Sequence, residues 1–184
     1  VEEVAAHPGP VYLRLKRGEI PVIFDRTHRF TLRRAQVVVQ GGEACLVASG
    51  MMVPAALAAA ETLSRNGVST TVVNSPVVKP LDAETVLGAI RGARVVVTAE
   101  NHSIMGGLGS AVAEALAGAG LGVPLRRIGL QDTFAESGSR EFLFEKYGLG
   151  VQDIVDAVWG QIAPGKTAPR APAMANVPGT YSPV

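Results

Sequence analysis

The length, composition and charge of this chain are those of an ordinary packed protein. Its 184 residues are 47% hydrophobic and 18% charged, with a formal net charge of +1. This length favours one full domain with additional segments. The charge balance argues against nucleic acid or an acidic surface as a partner. No apolar run approaches the ~20 residues that a membrane-spanning helix needs.

The single cysteine and the first residues bear on the compartment. Cys45 is the one thiol, so no internal disulfide can form, and the composition suits a reducing cytosol. The first residues include Glu2 and Glu3 and contain no apolar core of a signal peptide. We therefore expect a cytoplasmic protein. Because the chain starts at Val1, we also expect it to begin partway through a fold, as a piece of something longer.

The first 35 residues are predicted to form two segments outside the main domain. Residues 1–9 are helix-like, and 11–15 alternate as a strand does, with Arg14 and Lys16 on one face. Such a strand cannot bury its own face, so 1–21 are predicted to be the tail of another domain. Residues 22–35 are rich in arginine. A nucleic-acid arm is one interpretation, but their apolar and proline interruptions favour a linker that packs on a domain surface.

From residue 36 onward, predicted strands alternate with helices. The strands fall at 36–40, 44–49, 70–74, 95–99 and 124–130, and the helices at 51–66, 83–91, 107–119, 139–148 and 151–162. Strands that alternate with helices indicate parallel pairing with helices on both faces. The Gly41-Gly42 turn predicts that the first two strands pair as an antiparallel hairpin. The fold class is therefore α/β: a three-layer α/β/α domain over 36–162 with a five-stranded mixed sheet whose first strand is antiparallel. The proline-rich residues 163–184 are predicted to be a disordered tail.

The stretch from Arg94 to Leu116 is the most informative part of the chain. The strand 95–99 is followed by Glu100-Asn101-His102, which we interpret as a polar loop, and then by Gly106-Gly107-x-Gly109-Ser110 at the start of a helix. The glycines permit close packing of the helix, anion binding at its free N–H groups, or a nucleotide site. The last of these lacks the GxGxxG spacing.

The clustered acid/base candidates are Glu100, Asn101 and His102, of which Glu100 and His102 are the carboxylate and the imidazole. They suit proton transfer, and equally loop hydrogen bonds or an interface. The other histidines, His7 and His28, lack the neighbours that metal spacing requires, and no nucleophile motif is present. We therefore predict no catalytic or metal-ligating residue in 36–162. Arg17 stands just past a predicted strand, where a guanidinium suits a phosphate; a solvated loop arginine is the alternative.

Two separated motifs resemble one family. Residues 97–112, Val-Thr-Ala-Glu-Asn-His-Ser-Ile-Met-Gly-Gly-Leu-Gly-Ser-Ala-Val, resemble the last domain of transketolase-type thiamine diphosphate enzymes. That group includes transketolase, deoxyxylulose phosphate synthase and the β subunits of 2-oxoacid dehydrogenases. The run that begins Gly129-Leu-Gln-Asp-Thr-Phe-Ala-Glu-Ser-Gly-Ser-Arg looks most like transketolase, especially the carboxy-terminal subunit of split transketolases. Residues 9–18 look like the final strand of the family's pyrimidine-binding domain. The resemblance covers about 1–162.

The resemblance implies a function for the whole enzyme and a supporting role for this part. It implies a transferase that moves a two-carbon ketol unit between sugar phosphates, using thiamine diphosphate and Mg bound mainly by segments absent from this chain. The domain over 36–162 would serve dimerisation and scaffolding. Partners would be an amino-terminal cofactor-binding segment or subunit, in a homodimer or heterotetramer, and a sugar phosphate. The alternatives are a 2-oxoacid dehydrogenase β subunit, a deoxyxylulose phosphate synthase, or a non-catalytic interaction domain.

The resemblance also assigns residues. Arg17 matches by position the arginine that holds the sugar phosphate in transketolases, although Lys-Arg-Gly stands here in place of Ser-Arg-Gln. An interface or the periphery of the active site is expected at Glu100, His102, Gly106, Gly107 and Gly109.

Overall fold

The structure, a computed structural model, describes residues 1–16 and 21–173. The strands are β1 (Gln36–Val39), β2 (Ala44–Ala48), β3 (Thr70–Asn74), β4 (Val95–Ser103) and β5 (Leu125–Leu130). The helices are α1 (Glu2–Ala5), α2 (Met52–Arg65), α3 (Ala83–Ile90), α4 (Leu108–Gly118), α5 (Arg140–Lys146) and α6 (Val151–Ile162). The α/β fold class and the five-stranded mixed sheet are confirmed.

The strands form one sheet in the order β1-β3-β2-β4-β5. β2 lies at the centre and pairs in parallel with β3 and β4, and β5 continues the parallel part beyond β4. β1 is antiparallel to β3 at the other edge. The carboxyl ends of four strands therefore meet at one edge of the sheet, where ligand and partner sites gather in open α/β sheets.

Each face of the sheet buries its own apolar core. Successive β2 residues point to opposite faces. Leu46 packs in one core, which includes α2 and α6, whereas Cys45 and Val47 pack in the other, which includes α3 and α4. All five β2 residues are buried, as a strand covered on both faces requires.

Local capping signals place several helix ends correctly. Asp82 accepts a hydrogen bond from Thr85 N at the start of α3, and Ser139 accepts one from Phe142 N at the start of α5. These bonds satisfy backbone N–H groups that a helix start leaves free. α2 ends before Gly67, whose φ of +81° favours glycine.

The predicted hairpin between β1 and β2 is wrong in its partner. β1 pairs with β3, so the connection between β1 and β2 crosses the amino-terminal end of β3. Gly41 lies directly on that crossing: its N–H donates to Thr71 Oγ1 at 3.0 Å, and a Cβ there would overlap the Thr70 backbone. The absence of a side chain at Gly41 permits this close passage, and the glycine pair does not form a hairpin turn.

Two other predictions about elements are wrong. Glu100-Asn101-His102 is not a loop, because β4 continues through these residues to Ser103, with a shift of its register against β5. Residues 11–16 form no strand, and within the described residues no neighbouring strand pairs with them. Without a neighbouring strand, the backbone of these residues has no partner for the hydrogen bonds of a sheet.

The first part of the predicted tail contacts α6. Residues 163–173 are described and follow α6, where Gln152 donates from Nε2 to Pro169 O at 3.2 Å and accepts from Ala171 N at 2.8 Å. Ala168 and Ala171 also pack against the core that contains α6. Residues 174–184 lie outside the described residues, and the disordered tail stays a prediction.

In the described part of the chain, no helix is long and apolar enough to cross a membrane.

The crossing at Gly41 gives a direct test of this topology. We expect Gly41→Ala to lower the free energy of unfolding by about 2–3 kcal/mol, because the added Cβ would collide with the backbone of Thr70. Gly42→Ala is the matched control, since a Cβ at Gly42 meets no atom within 4 Å, and its effect should stay within ~0.5 kcal/mol. Urea unfolding of the two variants checks this. Equal unfolding midpoints would contradict the crossing.

Candidate functional site

The carboxyl edge of the sheet is organised by a buried glutamate. Glu100 lies in β4 with only 3% of its surface exposed. Its two carboxylate oxygens accept hydrogen bonds from the first two N–H groups of α4: Oε2 from Leu108 N at 2.7 Å and Oε1 from Gly109 N at 2.8 Å. One side chain therefore ties the strand to the helix that follows it.

This arrangement stabilises both the Glu100 carboxylate and the start of α4. The first N–H groups of a helix have no partner within the helix and carry partial positive charge. A buried carboxylate needs hydrogen bonds to offset its loss of water, and bonds between an ionised acceptor and backbone N–H groups are stronger than neutral ones. The same bonds occupy the donors that an external anion would need. An external anion at this glycine motif would therefore lack the first two N–H donors of α4, which argues against the anion-binding interpretation.

The glycines make room for this contact. A Cβ at Gly107 would overlap Oε2 of Glu100, and one at Gly109 would lie 2.7 Å from Cδ of Arg127 and 2.9 Å from Oγ1 of Thr98. Gly106 has a φ of +73°, which other residues rarely adopt. These positions support the close-packing interpretation of the motif.

Sequence reasoning missed a fourth glycine of this contact. Gly129, in β5, would place a Cβ 2.8 Å from Cγ2 of Ile104 and 3.2 Å from Cγ of Glu100. Its signal in the sequence is a glycine inside a strand, which marks a close approach of another segment.

Glu100 and His102 are not arranged as an acid/base pair. Both Glu100 oxygens accept backbone N–H groups, and His102 is exposed. No hydrogen bond joins the two side chains in the described part of the chain. His102 is open to solvent or to a partner, whereas Glu100 serves the fold.

Neither a metal cluster nor a reactive thiol stands out among residues 1–16 and 21–173. No three His, Cys, Asp or Glu side chains within these ranges form a group that could hold a metal ion. Burial raises the pKa of the Cys45 thiol to about 12, so the thiolate needed of a nucleophile is disfavoured.

A cavity of about 590 Å³ lies away from the Glu100 contact. It opens where the linker residues Ile23 and Phe24 pass α2 and the amino-terminal end of β3. Its lining is mostly apolar and includes Val38, Leu57 and Val68.

The segment 11–16 reaches the carboxyl edge of the sheet from outside the domain. Arg14 Nη2 donates to Asn101 O at 3.1 Å, and Lys16 Nζ donates to Asn101 Oδ1 at 2.8 Å. Burial, together with the nearby Arg14 charge, lowers the pKa of Lys16 to about 8. Asn101 was an acid/base candidate in the sequence and not an expected partner of this segment. The alternation that places Arg14 and Lys16 on one face was a signal that they bind a common partner.

Arg17, the expected phosphate-binding residue, lies outside the described residues, so its assignment stays a prediction.

The Glu100 contact can be tested with a change of one group. We expect Glu100→Gln to lower the free energy of unfolding by about 1–3 kcal/mol, because an amide has one acceptor oxygen and its NH₂ group would face a backbone N–H. Glu114→Gln is the control, since Glu114 is exposed in the same helix. Thermal and urea unfolding measure both. A loss of the same size in both variants would show that the contact with α4 is not the cause.

The comparisons with known proteins agree with this fold. Residues 33–154 match the family described as Transketolase, C-terminal domain. The chain is 46% identical over 155 residues to the 6-deoxy-6-sulfo-D-fructose transketolase subunit of Clostridium sp. (strain MSTE9), covering 84% of this chain and 48% of that protein. It is 40% identical over 153 residues to a 1-deoxy-D-xylulose-5-phosphate synthase of Synechococcus sp., covering 82% of this chain and 24% of the relative.

A solved structure gives the same result. The structure titled "Split gene transketolase, inactive beta4 tetramer" superposes with a TM-score of 0.83 at 39% identity, covering 90% of this chain and 54% of the other. The chain thus spans about half the length of the transketolase subunit and a quarter of the synthase. The family match covers well over half of this chain. The chain therefore belongs to the transketolase C-terminal domain family.

Proposed function

We propose that this chain is the carboxy-terminal subunit or section of a thiamine diphosphate-dependent transketolase. The whole enzyme transfers a two-carbon ketol unit between sugar phosphates, and this part supplies dimerisation and scaffolding. The observation that carries the proposal is the family match over residues 33–154. The relative named as a transketolase subunit and the split-gene transketolase structure support it.

The start of α4 does not offer a site for the cofactor's diphosphate. The amino-terminal end of α4 is closed by Glu100, so its first N–H groups are not open to a diphosphate. This observation supports a cofactor and Mg held by other segments of the enzyme. When bound, thiamine diphosphate supplies the carbanion chemistry that two-carbon transfer needs. The residues of this chain would bind and orient the partner and the substrate.

Exposed apolar side chains support a scaffolding role. Met105 follows β4 and is 61% exposed, and Phe134 follows β5 and is fully exposed. Both segments leave the carboxyl edge of the sheet, where Gly106 and His102 are also exposed. Large apolar and aromatic groups at a surface are typical of protein interfaces. We propose that this edge contacts a second copy or the cofactor-binding partner, in a homodimer or heterotetramer.

The other members of the superfamily are the second candidate. The Synechococcus relative is named as a deoxyxylulose phosphate synthase, and a 2-oxoacid dehydrogenase β subunit also belongs to the group that the sequence resembles. Use of a 2-oxoacid as donor in place of a ketose phosphate would favour these alternatives.

The proposal predicts that activity needs a partner. We expect the purified chain alone to show no ketol transfer, and calorimetry to show no micromolar binding of thiamine diphosphate. When the chain is mixed with the cofactor-binding polypeptide from the same source, we expect the mixture to transfer the ketol unit. Micromolar cofactor binding by this chain alone would contradict the division of roles. A mixture that forms a complex but transfers nothing between any sugar phosphates would contradict the proposed reaction.

Arg17 is proposed to hold the substrate phosphate. Hydrogen bonds between charged groups contribute about 2–3 kcal/mol. In the assembled enzyme, Arg17→Ala should therefore lower kcat/KM for a phosphorylated donor on the order of 30- to 150-fold. An unphosphorylated donor should be nearly unaffected. Arg17→Lys should recover only part, because an ammonium lacks the planar fork that binds a phosphate twice. Equal losses on both donors would show that Arg17 supports the fold or the cofactor instead.

A further inference from the structure

The segment 11–16 is fixed to the domain although it belongs to no secondary structure. No backbone hydrogen bond of the sheet includes it, and Tyr12 and Leu15 are largely exposed. What holds it is a pair of long-range contacts, from Arg14 and Lys16 to a single residue, Asn101, more than 80 positions further along the chain.

Asn101 is well suited to hold this segment. It lies in β4, whose first six residues are buried, so its backbone is fixed by the sheet. Its carbonyl accepts from Arg14 and its Oδ1 accepts from Lys16, while its Nδ2 lies 3.6 Å from Sδ of Met51. The two ends of the amide thus have different neighbours, which sets its orientation: oxygen towards the lysine and nitrogen towards the sulfur, a weak acceptor.

The stem of Lys16 lies against a glycine. A Cβ at Gly50 would be 3.4 Å from Cε of Lys16, and Gly50 has a φ of +55°. The side chain of Lys16 therefore passes beside the turn between β2 and α2 on its way to Asn101. Two separate parts of the domain, the turn at Gly50 and the strand at Asn101, lie next to this one side chain.

The two cations are held by neutral oxygens. No ion pair involves Arg14 or Lys16 in the described ranges 1–16 and 21–173, and the two positive charges disfavour one another. The hydrogen bonds to Asn101 therefore compensate for both burial and repulsion. A docking of this kind depends strongly on its one shared acceptor residue.

We propose that Asn101 is a positioning residue that docks the segment 11–16 on the carboxyl edge of the sheet. The inference about docking stands on these contacts alone. Its consequence for the enzyme rests on the proposed function: Lys16 directly precedes Arg17 in the sequence, so the docking fixes the segment that leads to the proposed phosphate-binding residue.

A lysine-specific protease tests the docking on the full chain. Cleavage after Lys16 requires its side chain to leave Asn101 and enter the protease. Lys166 is exposed in the opposite terminal segment and serves as the internal reference, and Lys146, in α5, reports unfolding of the domain. When opening is fast relative to cleavage, the initial cleavage rate follows the population of the open form.

We expect Asn101→Ala to raise the rate of cleavage after Lys16 by about tenfold, since the bond from Lys16 Nζ to the Asn101 side chain is lost, whereas the backbone carbonyl that accepts from Arg14 is kept. Cleavage after Lys166 and Lys146 should not change. Asn101→Asp should cleave no faster than the unaltered chain, because the carboxylate keeps the acceptor and adds a compensating charge. Gln40→Ala, at an exposed amide near another part of the sheet, should match the unaltered chain.

A second variant guards against loss of the fold. Arg14→Met removes one donor from an exposed segment and leaves the sheet intact, so it should also accelerate cleavage after Lys16. An unchanged cleavage rate after Lys16 in Arg14→Met or in a folded Asn101→Ala overturns the proposal. If Asn101→Ala accelerates cleavage after Lys146 equally, that variant has unfolded, and the outcome for Arg14→Met then decides.

Kinetics of the assembled enzyme test the consequence separately. Asn101→Ala should raise KM for a phosphorylated donor several-fold, and this change in KM should exceed the change in kcat. Asn101→Asp should have the KM of the unaltered enzyme. An unchanged KM with accelerated cleavage would limit Asn101 to docking and overturn its part in substrate binding. A complete absence of transferase activity in the unaltered complex would contradict the proposed function and leave the protease result intact.

Discussion

The contact between the Glu100 carboxylate and the amino-terminal end of α4 is the constraint on which this edge of the domain depends. Helix and strand approach so closely that the carboxylate meets two successive backbone N–H groups. Such a contact requires the absence of side chains at Gly107 and Gly109, and of a Cβ at Gly129 on the neighbouring strand. The glycines and the glutamate are therefore parts of one interaction: without the small residues the carboxylate would not reach, and without the carboxylate the helix end would be buried unsatisfied.

Hydrogen bonds from the helix and from the neighbouring strand also fix the turn that joins β4 to α4. Ser110 Oγ accepts from Gly106 N at 3.0 Å and donates to Ile104 O at 3.0 Å. Arg127 Nη1, from β5, donates to the same Ile104 carbonyl at 3.0 Å. The turn thus has its polar groups satisfied from both the helix and the adjacent strand. This explains why a short loop rich in glycine, whose unfolded form has high conformational entropy, adopts a defined path here.

The sequence was sufficient to predict most of the fold because its elements carry strong local signals. The strand 70–74 and the helix 151–162 agree with the structure in both bounds, and Asp82 and Ser139 cap the starts of two further predicted helices. The partner of β1 was not predictable in this way. The Gly41-Gly42 pair has the appearance of a hairpin turn, and nothing near it in the sequence reveals that the Thr70 backbone lies beneath Gly41. The choice of partner is a tertiary property, made by the parallel pairing of β2 with β3.

The site was predictable in place but not in chemistry. The stretch 100–110 lies at the carboxyl edge of the sheet, as expected, yet its polar start was interpreted as a loop because a buried glutamate in a strand is rare. Only the position of the α4 end explains the burial of Glu100. The docking of Arg14 and Lys16 was equally hidden. Their alternation indicates a shared face, whereas the acceptor, Asn101, is separated from them by more than 80 residues.

Glu100 and Asn101 are adjacent in β4 and serve different neighbours. Glu100 is buried and holds a helix of the domain itself, and Asn101 is half-buried and holds a segment that arrives from outside it. A residue that positions another segment needs a rigid base. The bonds between Glu100 and α4 contribute to that base, because they hold the residue of β4 that directly precedes Asn101. The buried carboxylate therefore acts beyond the stability of α4: it fixes the residue next to Asn101, on the edge where the segment 11–16 docks.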